Sequence, residues 1–505
     1  MQNINYPRPQ LKRKSFHSLN GVWRMNDQNV DVPSCLQKNK MHYETSFKYK
    51  KTNDRVILHF DAVDQITTVF LNNRFVGLNI GGYLPFEFEI TDFIKEGQNI
   101  LVVDVIDELD KTYPYGKQTS KPSGMWYTQV SGIWGNVWYE EVPSKYIKNI
   151  KITPDLKGVD LDIEIDNKGK ILKKHKRINI KNPILWTPQK PYLYHELIKE
   201  SKDIVEIYFA LRTISIESIK GINRVCLNGK PIFLNGVLDQ GYFKPGLFIA
   251  LNNAYFKDIK NMKDLGFNLL RKHIKIESEE FYYQCDKQGI LVMQDMVSSG
   301  EVSFIKDTVL PTLGFNRKDN VESIDSRMKF FIDYSIKTIN HLYNHPSVIS
   351  YTIFNEGWGQ FNADDLYIRF KTIDKTRLFD STSGWFKQNL SDFDSKHVYF
   401  RNIKLNIKER PFLLSECGGY VFNVNNEKVR WGYGICHTKS ELTNRIIKLY
   451  QDMVIPYIPK GLNGVIYTQL SDVEQEINGL YTYDRKICKV DKQKIKTLFN
   501  FLKIE

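Results

Sequence analysis

From about residue 219 onward, short apolar runs alternate with amphipathic helical stretches, and this alternation narrows the fold more than any other feature. The runs are Ile232–Val237, Phe267–Arg271, Gly289–Asp295, Val348–Phe354, Leu378–Thr382, His397–Phe400, Pro411–Leu414 and Gly464–Gln469. Each has strand length and lacks a helical period. Between them, one helix is expected near Asn253, ending at Gly266, a residue suited to a left-handed C-cap. A second covers Ser278 to Lys287. A long one over Ser323 to His341 puts Met328, Ile332, Ile336 and Ile339 on one face. Two more span Ala363 to Ile373 and Ser440 to Met453, the latter with Leu442, Ile446, Leu449 and Met453 as its apolar stripe. Eight strands interleaved with helices over roughly 285 residues have the grammar and size of a (β/α)8 TIM barrel.

The preceding part reads as β throughout. Arg55–Phe60, Thr67–Leu71, Asn99–Ile106 and Ile133–Tyr139 carry β-branched and aromatic residues at strand length. Asn72-Asn73 predicts a tight hairpin, because Asn tolerates the left-handed backbone that such a turn needs. No long helix is expected before residue 142. Val159, Leu161, Ile163 and Ile165 then alternate with Asp160, Asp162 and Glu164, a half-buried strand in a small lysine-rich β unit. The expected division is a sandwich over 1–143, a short β domain over 144–218 and the barrel over 219–505.

Composition excludes other classes. Of 505 residues, 42% are hydrophobic, enough apolar material to offset chain entropy, so the chain is not disordered. No apolar run reaches membrane-spanning length, and no membrane partner is expected. The N-terminal stretch lacks an apolar core, so no secretory signal is read. The six cysteines form no CxxC pair and fit free thiols in a reducing cytoplasm. The net charge of +13 is scattered over Lys12–Lys14, Lys168–Arg177 and Arg485–Lys496. It reads as a solvated lysine surface, and no nucleic-acid partner is expected.

A barrel carries its active site at the C-terminal ends of its strands. The fourth run ends in Asn355-Glu356-Gly357-Trp358, and the seventh in Ser415-Glu416-Cys417-Gly418-Gly419. Each puts a glutamate on the same rim, with glycines that let a substrate approach the backbone. Two facing carboxylates suit glycoside cleavage, one attacking the anomeric carbon and one protonating the leaving oxygen. Burial and mutual repulsion would raise the pKa of the acid.

These motifs resemble those of glycoside hydrolase family 2, the β-galactosidase and β-glucuronidase family. Asn344–Phe354 followed by Asn355-Glu356 looks like its acid/base motif, and Ser415–Gly419 like its nucleophile motif. Tyr6–Gln10, Leu19–Trp23 and Ser131–Trp138 resemble the start and end of its sandwich. Phe209–Arg212 resembles the exit from its immunoglobulin-like domain, and Leu227–Gly236 the approach to its barrel. The resemblance implies a jelly-roll-like sandwich, a short immunoglobulin-like domain and a catalytic TIM barrel. It also implies a retaining exo-β-glycosidase with Glu416 as nucleophile and Glu356 as acid/base. Asn355 would bind the sugar 2-hydroxyl, and Arg271 and His273 would lie near the nucleophile and sugar. Tyr399 would bond Glu416, while Trp385 and Trp358 would stack on sugar faces. Asp239 and Gln240 after strand one, and Gln469, Asp472 and Glu474 after strand eight, are candidate hydroxyl ligands. Asp104 and the loop Tyr113–Gln118 would reach the site from the sandwich.

Some positions depart from the family. Cys417 stands where the family has a bulky residue beside the nucleophile; it is either a bystander or a thiol whose alkylation would affect the rate. The family's glucuronidases read the acid with an Asn-x-Lys pair after strand eight. Here that region has Tyr483-Asp-Arg-Lys, and Asn426-Glu-Lys428 lies in another loop. A neutral sugar, with β-galactoside leading, is therefore expected over a glucuronide. The alternatives are a β-glucuronidase or other β-glycosidase, a silent carbohydrate-binding protein on the same fold, or a basic binding module. The partner expected is an oligosaccharide or glycoside, with self-association left open. No cofactor is expected. No metal-ligand cluster is visible, although a divalent cation remains compatible.

Overall fold

The computed structural model describes residues 6–303, 305, 307, 310, 325–386, 388–399, 409–424 and 431–504. Before residue 142 the described residues form strands and turns, with no helix. A six-stranded antiparallel sheet, with Lys40–Tyr49 and Gly97–Ile106 at its centre, packs on a four-stranded sheet built around Arg55–Phe60 and Val137–Val142. Trp23, Tyr43, Leu58, Val69, Leu101 and Val103 fill the space between them. The hairpin joining Ile66–Leu71 to Arg74–Ile80 turns at Asn72 and Asn73, with φ of 53° and 63°. That double left-handed step is what the Asn-Asn pair predicts.

The small β unit contains a three-stranded sheet, Lys145–Pro154, Gly158–Asn167 and Lys170–Asn179, and a hairpin, Tyr194–Glu200 with Asp203–Phe209. Val159, Leu161, Ile163 and Ile165 all point into its core, as the alternation predicts.

The barrel strands are Leu234–Asp239, Leu269–Lys272, Leu291–Asp295, Val348–Asn355, Leu378–Ser383, Asp394–Val398, Phe412–Gly418 and Leu462–Thr468. They form one eight-stranded sheet in the order five, four, three, two, one, eight, seven, six, with every registered pair parallel. The helix Ala254–Leu265 ends at Gly266 with φ 97°, whose N–H caps Lys263 and Met262 carbonyls. The long helix is Ser326–Leu342, started by the Asp325 side chain accepting from Met328 N. Residues 323 and 324 of the expected helix lie outside the described residues.

Three elements differ from expectation. Strand six begins at Asp394, earlier than its apolar signal, because its first half, Asp394-Ser-Lys396, is only partly buried and needs no apolar side chains. Phe400 lies outside the described residues. Strand seven runs on to Gly418, since Glu416 and Cys417 pair with His397 and Val398 of strand six. A helix at Lys492–Phe499 begins inside the stretch Arg485–Lys496 that reads as a charge run. Asp491 caps it, and Ile495, Leu498 and Phe499 turn its apolar face inward. Among the described residues, no helix is long and apolar enough to cross a membrane.

Docking of the units leaves one barrel end open. Trp186, Ala210 and Val225 pack with Leu234, Leu269, Leu291, Ile349 and Leu413, plugging the strands' N-terminal end. The sandwich instead reaches toward the C-terminal end: Tyr115 N and Gly116 N donate to Ser298 O, just past strand three. Tyr334 Oη of the long helix accepts from Tyr83 N and Leu84 N at 2.8 and 2.9 Å.

A buried charge cluster ties the N-terminal segment to both β units. Arg13 donates to Glu140 at 3.2 Å and to Asp203 at 2.9 Å, and His59 and Tyr6 meet Glu140 at 3.1 and 2.7 Å. Burial alone would raise the Glu140 pKa. His59, through its hydrogen bond and charge, together with Arg13 and Arg8, pulls it down to about 2. Glu140→Gln leaves Arg13 short of a partner and is expected to cost about 3–5 kcal/mol at pH 7. Because the folded pKa is depressed, this contribution is present above the ordinary glutamate range and is lost as pH falls toward 2. Urea midpoints of wild type and variant should therefore converge over that interval. An equal gap at pH 7 and pH 2 would contradict the assignment.

Candidate active site

The two glutamates are brought together at the open end. Glu356 follows strand four and holds φ 50°, a strained left-handed conformation for a non-glycine residue. Its N–H donates to Ser383 O at 3.0 Å, fixing the turn. Glu416 lies within strand seven, and both side chains are buried. Single donor atoms of Glu356, Glu416 and His397 all lie within 4.8 Å of one another.

Arg271, on strand two and fully buried, organises the floor. It donates to Glu416 Oε1 at 3.1 Å, Asn355 Oδ1 at 2.9 Å, Ser383 Oγ at 2.9 Å and Asp295 Oδ1 at 2.9 Å. Tyr399 Oη donates to Glu416 Oε2. His397 Nδ1 lies 2.7 Å from Glu356 Oε1, and its Nε2 lies 3.4 Å from Glu416 Oε1. Burial would push the Glu416 pKa up. His397, Arg271 and His273, with the Tyr399 hydrogen bond, outweigh it and hold the carboxyl below the usual carboxylate range. Glu416 is therefore ionised at neutral pH.

Asn355 Oδ1 also accepts from Ser383 Oγ at 3.0 Å, which orients the amide. His273 Nδ1 meets Asp295 Oδ2 at 2.7 Å, while burial pushes its imidazole below the ordinary histidine range. Trp385 packs edge-on against His397, with 5.5 Å between ring centroids. Trp358 is buried and stacks on Trp126 of the sandwich at 5.2 Å. Among the described residues, the Nε1 atoms of Trp358 and Trp385 are buried without a hydrogen-bond partner.

Other expected ligands are engaged within the protein. The Asp239 carboxylate takes Lys272 Nζ at 2.5 Å and Gly241 N at 3.0 Å. Glu474 accepts Thr128 N at 3.1 Å, and Asp472 takes Lys489 Nζ at 2.7 Å. Gln469 is fully buried between Gln240 and Asn478, each at 2.8 Å. Asp104 does not reach the site. It pairs with His42 at 2.6 Å on the outer sheet, because it points away from the sandwich core. Cys417 is fully buried, its Sγ 3.5 Å from Ile466 O, and burial pushes the thiol pKa up. Of the two readings of Cys417, alkylation sensitivity is the one corrected: the thiol is sealed. The glycines serve packing more than substrate approach. Gly357 and Gly418 have φ of 75° and 82°, and a Cβ would meet Phe386 at 2.6 Å and Tyr467 at 2.3 Å. Asn426 and Lys428 lie outside the described residues.

Sequence reasoning missed His397 and Glu476, and named Lys117 only as part of the loop Tyr113–Gln118. His397 had a usable signal: it stands two residues before Tyr399 in the run His397–Phe400, the spacing of residues on one face of an extended chain. Glu356, His397 and Glu416 together also form a donor set that a divalent cation could use, and a cation there would occupy both carboxylates.

The sandwich loop 122–128 and the loop after strand eight are laced together. Glu474 accepts Thr128 N, Gln475 Oε1 accepts Gly124 N at 3.3 Å, and Tyr127 Oη donates to Glu476 Oε2. Lys117, just upstream, is buried with its Nζ 5.1 Å from the Tyr127 ring centre and 5.9 Å from that of Trp358.

The sugar binding domain model of the glycosyl hydrolases family 2 matches residues 28–143, and the TIM barrel domain model of the same family matches 218–430. A β-galactosidase of Thermoanaerobacter pseudethanolicus is 27% identical over 51% of this chain and 39% of its own length. The β-galactosidase large subunit of Lactobacillus acidophilus is 26% identical over 73% of this chain and 62% of its own. The chain thus spans about two fifths of the first relative and less than two thirds of the second. A solved β-D-glucuronidase structure of Dictyoglomus thermophilum superposes with a TM-score of 0.76 at 19% identity, covering 99% of both chains. That likeness shows the shared fold.

Proposed function

The chain belongs to glycoside hydrolase family 2, and on that footing we propose that it is a retaining, exo-acting β-glycosidase, with β-galactosides as the leading substrates. The observation that carries the reading is the ionised Glu416, held by Arg271, His397 and Tyr399 with a carboxylate oxygen within 4.8 Å of one on Glu356. This closeness suits double displacement, in which the carboxyls stand about 5–5.5 Å apart, and leaves little room for the extra water of an inverting site.

In the first step Glu416 attacks the anomeric carbon as the bond to the leaving oxygen breaks. Glu356 gives that oxygen its proton. In the second step Glu356 takes a proton from water, whose oxygen attacks the same carbon and releases Glu416. Asn355, its carbonyl occupied by Arg271 and Ser383, turns its amide N–H toward the 2-hydroxyl. Galactose configuration rests on the curated relatives and on the lack of an Asn-x-Lys pair after strand eight. The division into 1–143, 144–218 and 219–505 and a cytoplasmic site of action belong to the same reading, which six free cysteines support.

Nitrophenyl β-galactoside, glucuronide, glucoside, mannoside and fucoside test it. Wild type should turn over the galactoside fastest. Glu356→Ala should keep substantial activity on these activated aryl glycosides while losing roughly 10²–10⁴-fold on alkyl galactosides, whose leaving groups need the proton. Equal losses on both would remove Glu356 from the acid/base role.

A further inference from the structure

Lys117 is a buried lysine for which the catalytic steps supply no use. Among the described residues its ammonium has no hydrogen-bond acceptor and no carboxylate within ion-pair reach. The side chain is 7% exposed and its ammonium is not sealed from solvent, so a ligand hydroxyl can reach it. Lys117 lies over Trp358, two residues past Glu356. Burial pushes its pKa down, and the charges of Glu476, Glu416 and Glu356, in that order, pull it back. It stands over the rings of Tyr127 and Trp358, which form an apolar collar around the charge.

Glu476 is its natural counterpart. Its carboxylate is fixed by Tyr127 Oη on one oxygen and Asn478 Nδ2 at 3.0 Å on the other. Asn478 is held by Gln469, and Gln469 by Gln240. Each Glu476 oxygen accepts one hydrogen bond and keeps acceptor capacity for another. A fixed acceptor and an uncommitted donor thus both meet Tyr127, too far apart to pair with each other directly. Neighbouring sugar hydroxyls have the complementary pattern, since each can donate to a carboxylate and accept from an ammonium.

We propose that Lys117 and Glu476 read a pair of adjacent hydroxyls on the bound sugar, Lys117 as donor and Glu476 as acceptor. This rests on the glycosidase reading and assigns the sandwich a specificity-determining residue. The substrate class is a neutral sugar. A carboxylate at this point would lie against Glu476, while the charge of Arg271 is already taken by Glu416 and Asp295.

The test uses Lys117→Met, which keeps length and fits the aromatic collar, with the thermal midpoint as a check on folding. Wild type and variant are compared on nitrophenyl β-galactoside, its 3-, 4- and 6-deoxy analogues and the β-glucuronide. Lys117→Met should lose roughly 10- to 100-fold in kcat/KM on the galactoside. On at least one deoxy analogue the two proteins should be nearly equal, because the hydroxyl that Lys117 reads is gone. The same loss on every analogue would make Lys117 merely structural, and a larger loss on the glucuronide would make it an anion reader; either overturns the proposal. Calorimetry of galactose and its deoxy forms on Glu416→Gln, with and without Lys117→Met, reads the contact without turnover. If wild type cleaves no glycoside, the glycosidase reading fails while calorimetry still decides on Lys117. If no sugar binds, both fail.

Discussion

Glu416→Ala is expected to lower kcat by at least roughly 10⁴-fold on any glycoside the protein cleaves, since removal of a nucleophile leaves only binding and electrostatic stabilisation. Added azide or formate should restore part of the rate by entering the space left by the carboxylate. With azide the product should be a glycosyl azide of inverted anomeric configuration, as expected for a single displacement. The wild-type enzyme should release sugar with retained configuration, followed by NMR in the first minutes of turnover. The held-down pKa of Glu416 adds a pH signature. A group that stays ionised below the ordinary glutamate range keeps the acid limb of kcat/KM below about pH 4. Activity unchanged in Glu416→Ala, or an inverted wild-type product, would remove the assignment.

The second large effect is expected at Arg271. Its guanidinium is shared among Asp295, Glu416, Asn355 and Ser383 with no solvent exposure. Arg271→Ala strips a buried pair of carboxylates of their common cation and should cost about 3–5 kcal/mol in stability. It should also cost on the order of 10²–10³-fold in kcat, by loosening Glu416 and Asn355 together. Arg271→Lys separates the two losses. A lysine restores a charge but cannot span four partners, so stability should partly return while the rate does not. The sign of the pH effect is fixed too. Arg271 lowers the Glu416 pKa, so the weaker contact in Arg271→Lys should move the acid limb upward. A variant with unchanged acid limb and kcat would place Arg271 outside the reacting site.

Legibility in the sequence followed local physics. The eight strands were readable because most are continuous apolar runs buried on both faces, such as Val348-Ile-Ser-Tyr-Thr-Ile-Phe354. Strand six was half hidden, since Asp394-Ser-Lys396 is partly exposed and carries no apolar signal. The two glutamates stood out because each closes such a run. Residues whose meaning depends on a distant partner did not. Asp239 and Glu474 look like rim ligands until Lys272 and Thr128 N are found to occupy them. Lys117 and Glu476 are 359 positions apart, and only domain docking brings both against Tyr127. The helix Lys492–Phe499 was masked by its own lysines, whose outward face dominates the composition of the segment.

The lacing of loop 122–128 to Glu474, Gln475 and Glu476 has a consequence for how such a protein can change. The residues proposed to break the bond sit on or just after barrel strands two, four, six and seven, while the loop laced to residues 474–476 is encoded some hundred residues before the barrel begins. Substitutions within that early loop can retune what is recognised without disturbing the floor that performs the reaction. Exchanging the loop between relatives is thus a route to new selectivity at constant mechanism, provided the three anchoring contacts travel with it.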